Sequence, residues 1–110
     1  MAIVSVSLSP IGVGVSVSHY VATALEVLER QDRVRWKLDS MFTTLEGEPG
    51  ELFALIRQMQ EAIFDAGAER VSTVIKMDDR RDRDGEAIAM ESKVESALAK
   101  LAARRGKKDV

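Results

Sequence analysis

Side chains at alternate positions from 2 to 9 of this 110-residue chain form two sets: Ala2, Val4, Val6 and Leu8 are apolar, and three of the four residues between and after them are serine. A period of two is typical of a β-strand with one buried face. A similar alternation returns over residues 34–38 and 71–77, and a further strand is predicted over residues 41–46, after a turn at Asp39-Ser40, which makes four strands. Pro10, Gly12 and Gly14 indicate a loop after the first strand.

Three other segments show the three- and four-residue spacing of amphipathic helices. The first begins near Ser16 or Ser18, either of which can cap a helix. The second follows Pro49, which suits a first helical turn, and stops at Gly67. The third ends before a basic segment, 104–110, that we expect to be frayed. The predicted apolar stripes are Val17, Val21, Ala24, Leu25 and Leu28; Leu52, Leu55, Ile56, Met59, Ile63 and Phe64; and Met90, Val94, Ala97, Leu98 and Leu101.

The predicted element order is β-α-β-β-α-β-α. Its first six elements form the split βαβ arrangement of a ferredoxin-like α+β sandwich. Short connections and right-handed crossovers then place the first two helices on one face of a four-stranded antiparallel sheet. We predict one such domain over residues 1–103, with an extra C-terminal helix, followed by a basic tail at 104–110.

Composition narrows the function classes. Hydrophobic residues make up 45% of the chain and the net charge is −2, so it has no overall basic footprint for nucleic acid. The absence of cysteine excludes disulfides, thiol nucleophiles and zinc–thiolate sites. No stretch offers the roughly 20 apolar residues of a membrane span, and the N-terminus lacks the basic start of a signal peptide. We expect a cytoplasmic protein that contacts neither nucleic acid nor membrane.

The sheet face away from the two helices is predicted to be poor in charge. It would carry Ile3, Ser5, Ser7, Ser9, Phe42, Thr44, Glu46, Ser72, Val74 and Lys76. Such a patch is typical of an interaction site, which predicts sheets packed face to face in a homodimer or a dimer of dimers. The alternative is a hydroxyl-rich face that simply stays open. Because hydroxyls both donate and accept hydrogen bonds, a partly buried row of them also suits a neutral polar ring.

Groups suited to catalysis are scarce. His19 is the single histidine, and no nucleophile, base and orienting residue form a recognisable set, so we predict a protein that is not an enzyme. Tyr20 lies off the first helical stripe, where a role in a pocket or at an interface is as consistent with the sequence as ordinary packing. The string 78–82 interleaves aspartate and arginine. Arginine forks there suit phosphate or carboxylate, but a solvated turn that pairs its own charges fits equally well.

Several strings together resemble the small thiamine-binding protein family of bacteria, archaea and yeast. The resemblance covers residues 2–98, and its most specific part is the Lys-Met-Asp-Asp-Arg-Arg-Asp string at 76–82. The other matching strings are 9–12, 16–22, 43–46, 61–62, 66–67, 70–71 and 93–96. Three positions depart from the family: Phe42 where glycine is frequent, Val13 where threonine is frequent, and Gln60 where histidine is frequent.

This resemblance implies a ferredoxin-like protein that associates through its sheets and binds thiamine or its hydroxymethylpyrimidine moiety as a carrier or sensor. It implies no catalysis, no metal and no cofactor other than that ligand. Thr43 and Thr44, with Ser5 or Ser7, would hydrogen-bond the pyrimidine ring. Glu46 or Asp79 would accept a hydrogen bond from its amino group, and Tyr20 or Phe42 would stack on it. Arg80 would bind the phosphate of a phosphorylated ligand. The full expected ligand-binding set is Ser5, Ser7, Ser18, Tyr20, Phe42, Thr43, Thr44, Glu46, Asp79 and Arg80. The alternative function is a structural or regulatory oligomer with no small ligand.

Overall fold

A computed structural model describes residues 1–83 and 90–108 of the chain. Its elements are β1 (Ala2–Pro10), α1 (Ser18–Glu29), β2 (Arg35–Leu38), β3 (Thr43–Gly47), α2 (Pro49–Asp65), β4 (Val71–Asp79), a 3₁₀ turn (Arg81–Arg83) and α3 (Met90–Lys108). The four strands form one antiparallel sheet in the order β2-β3-β1-β4. The predicted βαββαβ α+β fold with a C-terminal helix is therefore confirmed.

The two neighbours of β1 cover different lengths of it. β4 pairs with all nine residues, from Ala2 opposite Asp79 to Pro10 opposite Val71. β3 pairs only with residues 2–6, ending where Val6 lies opposite Thr43. The last part of β1 therefore has no strand beside it on the β3 side, and a gap is left next to the β2–β3 hairpin.

The hydrophobic core lies between the sheet and the two helices, as the alternation predicts. Its most deeply buried side chains are Val4, Val6, Leu28, Leu45, Leu52, Met59 and Ile63. Several positions differ from the predicted stripes. Val27 is buried although it was not assigned to the first stripe, whereas Phe64 is 37% exposed although its neighbour Ile63 is buried, and Val94, Leu98 and Leu101 of the third stripe are exposed as well.

Element boundaries also differ from the predictions. No serine caps α1: Val17 occupies the cap position and makes no side-chain cap bond. The carboxylate of Glu48 caps α2 instead by accepting from the N–H groups of Gly50 and Glu51, and these bonds lower the pKa of Glu48. Met41, predicted to begin the third strand, lies in the hairpin turn, because the Asp39 N–H donates to the Phe42 carbonyl at 2.9 Å.

The first turn of α3 is attached to the sheet face opposite α1 and α2, here called the open face. One row of this face crosses all four strands and consists of Arg35, Glu46, Ile3 and Asp78. Glu46 is 5% exposed and accepts from Arg35 at 2.9 Å and from the backbone N–H of Met90.

Two further ion pairs hold the start of α3. Arg35 reaches Glu91 at 2.6 Å, and Lys93 pairs with Asp78. The hydrogen bond from Lys93 lowers the pKa of the Asp78 carboxyl. Asp78 and Asp79 belong to β4 because they pair with Ile3 and Ala2 of β1. The charged loop that the sequence predicts over residues 78–85 therefore starts later, and its residues 84 and 85 lie outside the described residues.

Beyond this attachment, α3 is exposed as far as residue 106. Val94, Leu98 and Leu101 are each more than 40% exposed. The helix continues to Lys108, so the segment from residue 104 is helical rather than frayed; residues 109 and 110 lie outside the described residues. The radius of gyration is 16.9 Å, whereas a compact chain of this length has about 13 Å.

Candidate ligand-binding pocket

A pocket of about 240 Å³ occupies the gap between the end of β1, the start of α1 and the β2–β3 hairpin. Its lining residues are Val6, Ser7, Leu8, Ser9, Val17, Val21, Ala24, Leu25, Leu38, Asp39, Ser40, Met41, Phe42, Thr43 and Met59. This volume is at the small end for ligand pockets. It suits one heterocyclic ring with short substituents.

The walls of the pocket are mainly apolar. Val17, Val21, Ala24 and Leu25 project from α1 at the three- and four-residue spacing that was read as its buried stripe, and Met59 of α2 adds a fifth apolar side chain. The α1 stripe therefore has two roles: its later residues fill the core, and its earlier ones border the pocket. Such surfaces favour the faces of an aromatic ring over a strongly hydrated group.

Thr43 is the most enclosed polar residue of the lining, at 7% exposure. Among the described residues its hydroxyl has no hydrogen-bond partner. Every fully buried side-chain polar atom in the described part of the chain does have one, so this hydroxyl keeps a small accessible area where Thr43 borders the pocket. Because this hydroxyl is reached from the pocket and bonds no other described group, it can donate to and accept from a ligand in the pocket.

The backbone of β1 adds a second polar group. The Ile11 N–H donates to the Arg70 carbonyl at 2.8 Å. Backbone groups alternate in direction along a strand. Because Ile11 bonds toward β4, the N–H and C=O groups of the odd-numbered residues of β1 point to β4, and those of the even-numbered residues point to β3. Leu8 lies past the end of β3, and in the described part of the chain no backbone bond joins it to the hairpin. Its N–H and C=O thus form a donor–acceptor pair at the pocket.

The electrostatic character of the pocket is weakly acidic. Asp39, on the hairpin, is the single charged residue of the lining, and no lysine or arginine belongs to it. The Asp39 carboxylate also accepts from the Ser40 N–H at 2.9 Å, which keeps it at the rim. The pocket therefore favours a neutral or positively charged ligand over an anion.

The structure brings three of the ten predicted site residues to this pocket: Ser7, Phe42 and Thr43. Ser5 and Thr44 lie on the open face, in a row with Lys37 and Lys76. Ser18 is exposed at the start of α1.

Tyr20 does not border the pocket. It packs partly against the core, and its ring lies edge-on to that of His19 with 5.4 Å between centroids.

The other three predicted residues lie toward the opposite end of the sheet. Asp79 pairs with Ala2 of β1, whereas Thr43 pairs with Val6. Ala2 and Val6 are four residues apart, so Asp79 and Thr43 are separated by about 13 Å along the strand direction. Both carboxylate oxygens of Glu46 already accept from other residues of the chain, and Arg80 bonds Asp82. Within one copy of the chain, these groups and Thr43 do not converge.

Sequence reasoning missed Asp39, Ser40 and the Leu8 backbone as site groups. The sequence Asp39-Ser40 between two predicted strands indicates a turn, and that position is the one signal it offers. The free edge of β1 depends on how far β3 extends, which alternation does not determine.

Other kinds of site find no support in the described part of the chain. No group of three or more histidine, aspartate or glutamate side chains there is placed to hold a metal ion. No described helix has the length and apolar composition needed to cross a membrane.

These features define a small ferredoxin-like α+β domain with a ring-sized pocket at one end of its sheet. The chain belongs to the thiamine-binding protein family, whose model matches residues 4–98. UPF0045 protein YqgV of Bacillus subtilis is 43% identical over 100 residues, which cover 87% of this chain and 93% of that protein.

Solved structures show the same architecture. Protein MJ1052 of Methanocaldococcus jannaschii is 30% identical with a TM-score of 0.76, covering 87% of this chain and 94% of that one. A domain of unknown function, DUF77, from Bacillus cereus is 35% identical with a TM-score of 0.71, covering 84% and 86% of the two chains.

Proposed function

We propose that this chain binds thiamine or its hydroxymethylpyrimidine moiety without transforming it, and acts as a carrier or sensor in the cytoplasm. Family membership supports the ligand class. The observation that carries the proposal is the enclosed, unpartnered hydroxyl of Thr43 beside a ring-sized apolar pocket. The proposal places the pyrimidine ring between the α1 wall and the hairpin.

The chemistry of the ligand matches that of the lining. An aminopyrimidine offers ring nitrogens that accept and an amino group that donates, which the Thr43 hydroxyl and the Leu8 backbone complement. The thiazolium ring of thiamine carries a positive charge, which Asp39 at the rim would attract. A phosphate ester would find no cation in the lining, so unphosphorylated forms are the preferred ligands.

Thr43→Val tests the site with a matched control. Valine keeps the shape of threonine but removes the hydroxyl, and one neutral hydrogen bond contributes about 0.5–1.5 kcal/mol. In calorimetric titrations with thiamine and with hydroxymethylpyrimidine, we expect affinity to fall roughly 3- to 10-fold. Thr44→Val makes the same change one residue later on the opposite sheet face and should leave affinity unchanged.

Two outcomes of this titration contradict the proposal. A larger loss in Thr44→Val than in Thr43→Val would place the ligand on the open face. Absence of heat with both ligands, in a protein whose far-ultraviolet circular dichroism shows it folded, would favour an oligomer that has no small ligand.

Asp39→Asn separates the charged ligand from the neutral one. Asparagine can still accept from the Ser40 N–H, so the hairpin turn is kept. Because Asp39 is exposed, its attraction for a cation is modest, and we expect thiamine affinity to fall roughly two- to fivefold. Hydroxymethylpyrimidine, which is neutral, should bind as before. An equal loss for both ligands would argue against a charge effect.

We also propose that the protein is a homo-oligomer whose subunits associate through the open faces of their sheets, as a dimer or a dimer of dimers. The hydroxyl-bearing Ser5 and Thr44, which lie opposite each other at the centre of that face, support this association. The elongated monomer, whose α3 lies uncovered from Val94 onward, supports it as well.

A further inference from the structure

The loop between β1 and α1, residues 11–17, is apolar at every second position although most of it is exposed. Its four apolar residues are Ile11, Val13, Val15 and Val17, and only glycine or serine lies between them. Val13 packs against the core, whereas the side chain of Val15 is fully exposed. A single exposed apolar residue is ordinary at a protein surface, but this one lies beside the candidate pocket.

Both ends of this β1–α1 loop border the pocket. Ser9, near the end of β1, and Val17, just before α1, belong to the lining, whereas residues 10–16 do not. The loop therefore runs along one side of the pocket without covering it. Val15 is two residues from Val17, and two residues of extended chain span at most about 7 Å. A change in the backbone angles of the loop can thus bring Val15 to a ligand that contacts Val17.

Among the described residues, hydrogen bonds hold the β1–α1 loop only at its two ends. The Ile11 N–H donates to the Arg70 carbonyl at 2.8 Å, and the Val17 carbonyl accepts from N–H groups in the first turn of α1. No hydrogen bond that involves residues 12–16 is found in that part of the chain. The segment between the two ends can therefore move without breaking a hydrogen bond.

Two glycines provide the backbone freedom for this movement. Gly12 and Gly14 have φ angles of 84° and 100°, in the left-handed region that favours glycine. A Cβ atom at either position would meet no atom within 4 Å, so no neighbouring group packs against these glycines. Since glycine adopts both signs of φ at little cost, the chain can rotate at these positions and carry Val15 with it.

We propose that Val15 is a ligand-contacting residue of the occupied pocket. The β1–α1 loop closes over the bound ring, and Val15 covers the part of the ring that the lining leaves exposed. Val13 stays in the core and Val17 stays on the pocket wall, so the movement is confined to the residues around Val15.

This inference rests on the proposed function and narrows the ligand class. Burial of Val15 is favourable only against an apolar surface. A bound heterocyclic ring supplies such a surface beside Val17, so ligand binding favours the closed loop. The part of the ligand that faces the loop must be uncharged, because a strongly hydrated group there would oppose closure. The pyrimidine ring shared by both proposed ligands meets this requirement.

Calorimetric titration of Val15→Ser with hydroxymethylpyrimidine tests the proposal. We expect affinity to fall roughly 3- to 10-fold, because the variant loses part of the burial of one valine. The thermal unfolding midpoint of the free protein should be unchanged, since the Val15 side chain is fully exposed there. Val15→Ile keeps an apolar side chain and should retain the affinity. Val94→Ser makes the same change at an exposed valine on α3 and should also leave affinity unchanged.

Amide exchange reports the closure of the loop itself. The amides of residues 13–16 should exchange fast in the free protein and slow down with saturating hydroxymethylpyrimidine. Asp32, at the other end of α1, provides the internal control. Its N–H makes no hydrogen bond among the described residues, and it should exchange equally fast with and without the ligand.

Several outcomes would overturn the inference and leave the proposed function standing. They are an unchanged affinity in Val15→Ser, an equal loss in Val94→Ser, and loop amides that exchange as fast with ligand as without it. A Val15→Ser protein with altered sedimentation would overturn it as well, by placing Val15 in a contact between copies of the chain. Absence of binding by the unsubstituted protein would instead remove the proposed function, and this inference with it.

Discussion

Replacing Glu46 with alanine is expected to release α3 from the sheet. The Glu46 carboxylate accepts from the backbone N–H of Met90 and from Arg35, and it is nearly fully buried. Its removal leaves the buried N–H of Met90 without an acceptor, which costs about 1–3 kcal/mol. The free energy that keeps α3 attached should fall by that amount, because few other contacts join this helix to the sheet.

Amide exchange over the first turns of α3 measures this effect, with circular dichroism reporting any loss of helix. Glu46→Gln is the control: its amide oxygen can still accept from Met90, while the charge that Arg35 pairs with is lost. We expect Glu46→Gln to retain most of the protection in α3. If Glu46→Ala leaves exchange in α3 unaltered, Glu46 does not anchor the helix, and its carboxylate becomes available for another role.

Introducing lysine at Thr44 is expected to prevent the association that we propose between open faces. Thr44 lies at the centre of that face, between Lys37 and Ser5 of the neighbouring strands. A lysine there would bury an unpaired charge between two sheets, a penalty of several kcal/mol. Sedimentation should therefore show loss of the contact between faces, with the dissociation constant raised roughly 100-fold or more.

The subunit itself should remain folded in this variant. Repulsion between Lys37 and the new lysine on adjacent strands costs about 1 kcal/mol or less, and circular dichroism would verify the fold. Gln58→Lys, on the exposed side of α2, adds the same charge away from the sheet and should leave association unaltered. An unchanged oligomer in Thr44→Lys would mean that the open face is simply exposed to water.

The fold could be predicted because its signals are local. The alternation over residues 2–9 predicts β1, and the apolar stripe from Leu52 to Ile63 predicts α2. Neither prediction depends on the rest of the chain. Boundaries that depend on distant contacts were missed. The predicted loop at Asp78 is strand because β1 continues beside it to Ala2, and the predicted fraying at Arg104 is helix.

The candidate site could be predicted only in part. Alternation shows that Thr43 and Thr44 lie on opposite faces, but it does not show which of them borders a cavity. The sequence suggests Glu46 as an acceptor for the ligand's amino group, but its carboxylate accepts from the backbone N–H of Met90, 44 positions later in the chain. The gap beside Leu8 exists because β3 stops opposite Val6, which is a property of the pairing and not of either segment alone.

The most direct test of the central claim is a crystal structure of the protein with thiamine. We predict density for the pyrimidine ring between α1 and the β2–β3 hairpin, with a ring nitrogen or the amino group within hydrogen-bond distance of the Thr43 hydroxyl. Density on the open face beside Ser5 and Thr44, with this pocket empty, would contradict the claim.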